Sequence, residues 1–204
     1  ASEDLYAKLV DFGRRHGILI CNDNPYSFIL NDRPLSILAQ PGAKECCLEL
    51  NSLSKAHNMA GWRIGMVAAE PEIISEILKV KSQMDSGMFK PLQVAAVEAL
   101  SQGPEWFAEL NAEYMRRRVL AGEIFDMLGA EYDHDSTGMF LWGRVGQAGA
   151  EVSDKLLYEA GVFITPGFIF GKNGEDYIRI SLCSKPEVLK RAAEKIKAVI
   201  RNVK

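Results

Sequence analysis

Three side chains able to do chemistry follow apolar runs of the kind that form buried strands. Asp23 comes after Ile18-Leu19-Ile20-Cys21, and Ser52 and Lys55 come after Cys46-Cys47-Leu48-Glu49-Leu50. In open α/β sheets a ligand lies in the crevice beyond the carboxyl ends of the strands. A carboxylate, a hydroxyl and an ammonium are therefore expected around one crevice, where a lysine can serve as nucleophile or base. A loop lysine is ordinarily just a solvated charge, so the case for Lys55 rests on its company. Arg179 is a further candidate. In Tyr177-Ile178-Arg179-Ile180-Ser181-Leu182 the pattern alternates with period two. Ile178, Ile180 and Leu182 then line a core face, while Tyr177, Arg179 and Ser181 share the other.

The elements that must hold these residues are marked by punctuation. Leu5, Leu9, Val10 and Phe12 recur at helical spacing before Gly13 or Gly17. Residues 18–21 show no polar alternation, as for a strand buried on both faces of a parallel sheet, and stop at the turn cluster Asn22-Asp23-Asn24-Pro25. Pro41-Gly42 precedes the strand at 46–50, and a third apolar run at 64–69 follows Gly61-Trp62-Arg63. Pro71 opens a helix expected to bury Ile73, Ile74, Ile77 and Leu78. Pro91 opens another, with Val94, Ala95, Val97 and Leu100 as its apolar residues, and the longest helical pattern runs from Pro104 to about Leu128. Beyond Gly129, short strands at 139–145, 162–165 and 177–183 alternate with helices at 151–160 and 186–202. This change of texture puts a domain boundary near residue 120, giving units of 1–120 and 121–204.

The chain has 204 residues, 48% hydrophobic and 25% charged, enough for a sizeable core in one large domain or two small ones. A net charge of −3 argues against a nucleic-acid partner. No apolar run is long enough to span a membrane, and no signal-peptide layout is seen. Cys21, Cys46, Cys47 and Cys183 lack metal-ligand spacing and read as buried thiols of a reducing compartment. A cytoplasmic protein without a metal site is expected. His16 reads as a helix C-terminal charge, His57 as a loop residue, Arg116-Arg117-Arg118 as a solvated helix face, and Trp62, Trp106 and Trp142 as packing residues.

In order and together, the motifs resemble the fold-type I aminotransferases, class I and II of the aspartate aminotransferase superfamily. Ser52-Leu53-Ser54-Lys55 followed by Ala60-Gly61-Trp62-Arg63-Ile64-Gly65 is the core of the likeness. Asp23-Asn24-Pro25-Tyr26 resembles the family's Asp-x-x-Tyr element. Gly161-Val162, Pro166-Gly167, Phe170-Gly171 and Tyr177-Ile178-Arg179-Ile180-Ser181 resemble its C-terminal block. The resemblance implies an α/β fold, the later part of a large-domain sheet followed by a small α/β C-terminal domain, with pyridoxal 5'-phosphate as cofactor. By that likeness Lys55 forms a Schiff base with the cofactor and then moves a proton between substrate Cα and cofactor C4′. Asp23 pairs with the pyridine nitrogen, Tyr26 bonds the ring oxygen, and Ser52 and Arg63, joined by Ser54, hold the phosphate. Arg179 grips the substrate α-carboxylate through its planar fork. Each has a local alternative. Asp23 in a turn also bonds its own backbone, Tyr26 suits a buried aromatic with a satisfied hydroxyl, the serines suit local backbone bonds, and Arg179 suits an exposed strand position.

The family also supplies, ahead of the Asp-x-x-Tyr element, a Gly/Ser-rich phosphate loop, an aromatic that stacks on the pyridine ring and an asparagine for its ring oxygen. None has a match here. The chain therefore reads as the C-terminal portion of a longer enzyme, expected to have little or no activity alone. The resemblance implies transfer of an α-amino group from an amino acid to a 2-oxo acid, in a homodimer. Carbon–sulfur lyases and related lyases share the signature, as do aminotransferase-like sensor domains of transcription regulators, and both stay open on sequence alone.

Overall fold

A computed structural model of the chain describes residues 1–201; Asn202, the expected end of the closing helix, lies outside them. The chain divides into two units, Ala1–Phe107 and Ala108–Lys204.

The first unit opens with α1 (Glu3–His16), whose ends follow capping chemistry. The Ser2 hydroxyl accepts from the Leu5 N–H, Glu3 and Asp4 occupy the positive end, and Arg14, Arg15 and His16 the negative end. Gly17 stops the helix at φ 61°, a left-handed conformation suited to glycine. Tyr6, Val10 and Gly13 are the buried residues, while Leu5 and Phe12, expected on the apolar face, are exposed. Three strands follow. β1 (Ile20–Asp23) runs parallel to β2 (Cys47–Ser52), and β3 (Gly65–Ala68) lies antiparallel on the other side of β2. One core cluster joins Tyr6, Val10, Ile37, Ala43, Cys46 and Cys47. On the sheet's other face Cys21 and Val67 are exposed, so β1 is not buried on both faces as its apolar run suggested.

Helix α2 (Leu53–Ala56) is a single turn directly after β2. Helices α3 (Pro71–Met84) and α4 (Lys90–Leu100) contain no fully buried residue. Ile73, Ile74 and Ile77 are half-buried and Leu78 is exposed. In α4 the packed face is Leu92, Ala95, Ala96 and Ala99, set against Leu53, Met59 and Ile64, which leaves Val94, Val97 and Leu100 exposed. Small alanines let the helix approach closely, so the larger residues do not choose the face.

Helix α5 (Pro104–Met127) begins in the first unit, where Trp106 Nε1 donates to the Ala56 carbonyl at 2.9 Å and Phe107 stacks on Phe28. Its buried residues from Tyr114 onward belong to the second unit. There β4 (Glu131–Tyr132), β5 (Phe140–Arg144), β6 (Thr165–Pro166) and β7 (Tyr177–Ser181) form an antiparallel sheet ordered β4-β5-β7-β6. Helix α6 (Gly149–Lys155) passes into a π-helical turn at Leu156–Ala160, and α7 (Pro186–Arg201) closes the chain. The strand expected over 162–165 shrinks to Thr165–Pro166, because only those residues find partners on β7. Ile178, Ile180 and Leu182 are buried, as their alternation required.

Several expectations need correction. Cys46 and Cys47 are buried, but Cys21 lies on the open sheet face and Cys183 after β7, both exposed. Arg117 is not a solvated charge, since it pairs with Glu113 at 3.0 Å and donates to the Leu182 carbonyl at 3.2 Å. Trp62 is exposed rather than packed. Among the described residues no helix is long and apolar enough to cross a membrane, and no cluster of His, Cys, Asp or Glu could hold a metal ion.

Candidate active site

Strand register decides which side chains meet at the ends of β1 and β2. Asn22 pairs with Glu49 and Asp23 with Leu50. Neighbours across a parallel ladder point to the same face and successive residues to opposite faces. Asn22 and Glu49 therefore share one face, and Asp23 shares the other with Leu50 and Ser52. The first face is locked by a buried carboxylate. Glu49, 8% exposed, accepts from Ser36 Oγ at 2.8 Å, Ile37 N at 3.0 Å, Asn22 Nδ2 at 3.0 Å and Asn24 Nδ2 at 3.4 Å. The residues on both sides of Asp23 are thus tied down from behind, and Asp23 is turned the other way. Its carboxylate is exposed and makes no hydrogen bond or ion pair among the described residues, so the self-bonding turn role is not realised.

Ser52 ends β2 and caps α2. Its Oγ accepts from Ser54 N at 3.1 Å and donates to the Ile64 carbonyl at 3.2 Å, the local bonding that turn serines favour. That short helix carries Lys55, half-buried, with Nζ 5.8 Å from the centroid of the Tyr26 ring and no ion pair among the described residues. Arg63 follows the 3-10 turn Ala60–Trp62 in a left-handed conformation, φ 56°, unusual for a side chain with a Cβ. Its guanidinium is exposed and donates to the Ala60 carbonyl at 3.1 Å. Two residues later a Cβ at Gly65 would stand 2.9 Å from the Asn51 carbonyl, so only glycine lets β3 come this close to the end of β2.

Arg179 belongs to the second unit, on β7 opposite Trp142 and Thr165. Its guanidinium carbon lies 4.3 Å from the Phe140 ring centroid and 4.1 Å from that of Phe170. It lies against two rings and is not a plain exposed strand arginine. The structure thus gathers Asp23, Tyr26, Ser52, Ser54, Lys55 and Arg63 at the strand ends of the first unit. It adds residues that sequence reasoning missed. Glu49 was signalled by a charge inside an apolar run, and Phe140 by sharing the parity of a strand face, whereas Phe170 stood only within the Phe170-Gly171 motif, with no role attached.

The sequence profile described as aminotransferase class I and II matches residues 1–196. The chain belongs to that family. Members of the family depend on pyridoxal phosphate. The chain is 42% identical over 200 residues to an LL-diaminopimelate aminotransferase of Natranaerobius thermophilus, covering 96% of this chain and 52% of that protein. A protein of the same name from Aquifex aeolicus is 40% identical over 198 residues, covering 95% and 51%. The crystal structure of an aromatic aminotransferase from Pyrococcus horikoshii superposes with a TM-score of 0.90 at 30% identity, over 100% of this chain and 56% of that one. The chain spans about half the length of the curated relatives it matches.

The family's cofactor suits the donor set at the strand ends. Among the described residues, a lysine without a counter-ion lies beside a phenol, an unpaired carboxylate shares a sheet face with a serine, and an arginine has one backbone carbonyl as its partner. An aldehyde, a pyridine nitrogen and a phosphate each have a matching group among these.

Proposed function

We propose that the complete protein containing this chain is a pyridoxal-phosphate-dependent aminotransferase moving an α-amino group from an amino acid to a 2-oxo acid. The observation that carries this reading is Lys55, an ammonium without a counter-ion among the described residues, 5.8 Å from the Tyr26 ring at the strand ends where Asp23 and Ser52 share a face. When bound, the cofactor supplies an electron sink for the pair left at the substrate Cα. Lys55 would hold the cofactor covalently and, as a free amine, would carry the proton away from the substrate Cα. The Asp23 carboxylate would pair with the pyridine nitrogen and keep it protonated. Tyr26 donates to the ring oxygen. Arg63 and Ser52, with Ser54, bind the phosphate, exchanging their present bonds to Ala60 and Ile64 for bonds to a dianion. Arg179 receives the substrate α-carboxylate in the plane of its guanidinium. A homodimer in the cytoplasm is part of the same proposal.

The two relatives at 42% and 40% identity make LL-diaminopimelate the first amino donor to test. The complete protein, loaded with pyridoxal phosphate, is assayed with LL-diaminopimelate and the twenty standard amino acids against 2-oxoglutarate. The expected result is oxo-acid-dependent transfer that Lys55→Ala lowers by about 10²–10⁴-fold. Release of ammonia and pyruvate from a β-substituted amino acid without any acceptor replaces this reading by a lyase.

A further inference from the structure

Arg179 is held by rings rather than by charges. Phe140 reaches it from β5 and Phe170 from the 3-10 turn Gly167–Phe170, the two centroids 4.3 and 4.1 Å from the guanidinium carbon. Both distances are within the range of a cation–π contact, so two separate elements hold the same cation. A guanidinium presents its N–H donors in its own plane. A carboxylate arriving in that plane finds two parallel donors, the geometry of a bidentate pair.

Phe170 is 49% exposed, so the core alone does not fix it. Trp142 does. Its ring stacks on Tyr177 at 5.1 Å and 11°, and meets Phe170 edge-on at 5.7 Å and 74°. Two glycines seat the loop on this indole. A Cβ at Gly167 would stand 2.7 Å from Trp142 Cη2, and one at Gly174 would stand 3.2 Å from it. The segment that carries Phe170 therefore rests on Trp142 at both of its ends.

We propose that Phe140 and Phe170 are positioning residues that fix the guanidinium plane of Arg179 for a substrate α-carboxylate, with Trp142 as the mount that keeps Phe170 in place. This deepens the reading of Arg179 as the carboxylate ligand and rests on it. A long arginine side chain loses rotamer freedom when it binds, and a clamp removes that loss in advance. The rings should therefore act on binding and leave the chemical step alone.

The test uses the complete holoenzyme and 2-aminoisobutyrate, which carries an α-carboxylate but has no α-hydrogen to lose. Its dissociation constant is measured by titrating the cofactor absorbance, beside KM and kcat for the best amino donor. Phe170→Leu and Phe140→Leu should each raise the dissociation constant and KM on the order of tenfold, with kcat within about twofold. Phe170→Tyr, which keeps the ring, should restore wild-type binding. Trp142→Leu should match Phe170→Leu, and the double variant should be no worse than either, because both act through one contact. If the phenylalanine variants bind normally while Arg179→Leu does not, the clamp is wrong and the carboxylate role stands. If Arg179→Leu also binds normally, the carboxylate role itself falls. A loss of kcat with unchanged binding, or no rescue by Phe170→Tyr, overturns the clamp as well.

Discussion

His57 closes α2 with its Nδ1 buried and unpartnered among the described residues, its ring edge-on to Phe107 at 5.5 Å. Burial lowers its pKa below the ordinary value. The folded chain thus holds this imidazole neutral under conditions where the unfolded chain protonates it. In that window the unfolded state binds more protons, so stability rises with pH and falls with acid. The contribution is complete above the unfolded value of about 6.5 and is lost as the pH drops below it toward the lowered folded value. A melting temperature that declines from about pH 7.5 to 5.5 is expected, and His57→Phe should flatten that decline. An equal slope in both proteins would remove His57 as its source. The thiols allow a second test at this scale. Burial, with Cys46 beside it, pushes the Cys47 thiol up to about 12, and the thiolate is the reactive form. A disulfide reagent should titrate Cys21 and Cys183 in the native chain and reach Cys46 and Cys47 only in denaturant. Fast reaction of all four thiols would contradict this burial.

Among elements, the end of β1 depends on a residue of its neighbour. A carboxylate within an apolar strand is costly unless its bonds are made, and Glu49 makes four, to Asn22, Asn24, Ser36 and Ile37. Glu49→Leu leaves the Ser36 hydroxyl and the Ile37 N–H without an acceptor, at about 1–3 kcal/mol each. A loss of about 3 kcal/mol in urea unfolding is expected, with a smaller one for Glu49→Gln; a change under about 0.5 kcal/mol would show the network idle. Glu49 also marks where the sequence was legible and where it was not. Approximate strand positions, the glycine end of α1 and the face of Arg179 followed from local punctuation and parity, because the causes lie within a few residues. The buried faces of α3 and α4 did not, since they are chosen by what the helices pack against, and four half-buried residues of α4 outrank its valines. Thr165–Pro166 and the ring pair around Arg179 exist only through pairing with β7, a long-range fact that no local window holds.

At the scale of the whole molecule the two units differ in how completely each buries its own apolar surface. The second has a closed core, with Phe125, Ile124, Leu141, Ile178, Leu182 and Ile196 almost fully removed from water. The first has a three-stranded sheet whose outer strands β1 and β3 lack a further neighbour among the described residues. Leu19 just before β1 and Met66 on β3 are 51% and 58% exposed, and neither α3 nor α4 buries a residue completely. Burial of apolar area is the main driving force for folding, and unpaired strand edges invite association. Residues 108–204 expressed alone should therefore unfold in a single cooperative transition. Residues 1–107 alone should bind a hydrophobic dye and self-associate, because open edges and exposed apolar side chains coincide there. A non-cooperative melt of 108–204, or a monomeric and dye-silent 1–107, would mean that stability is shared between the units and does not reside in the second.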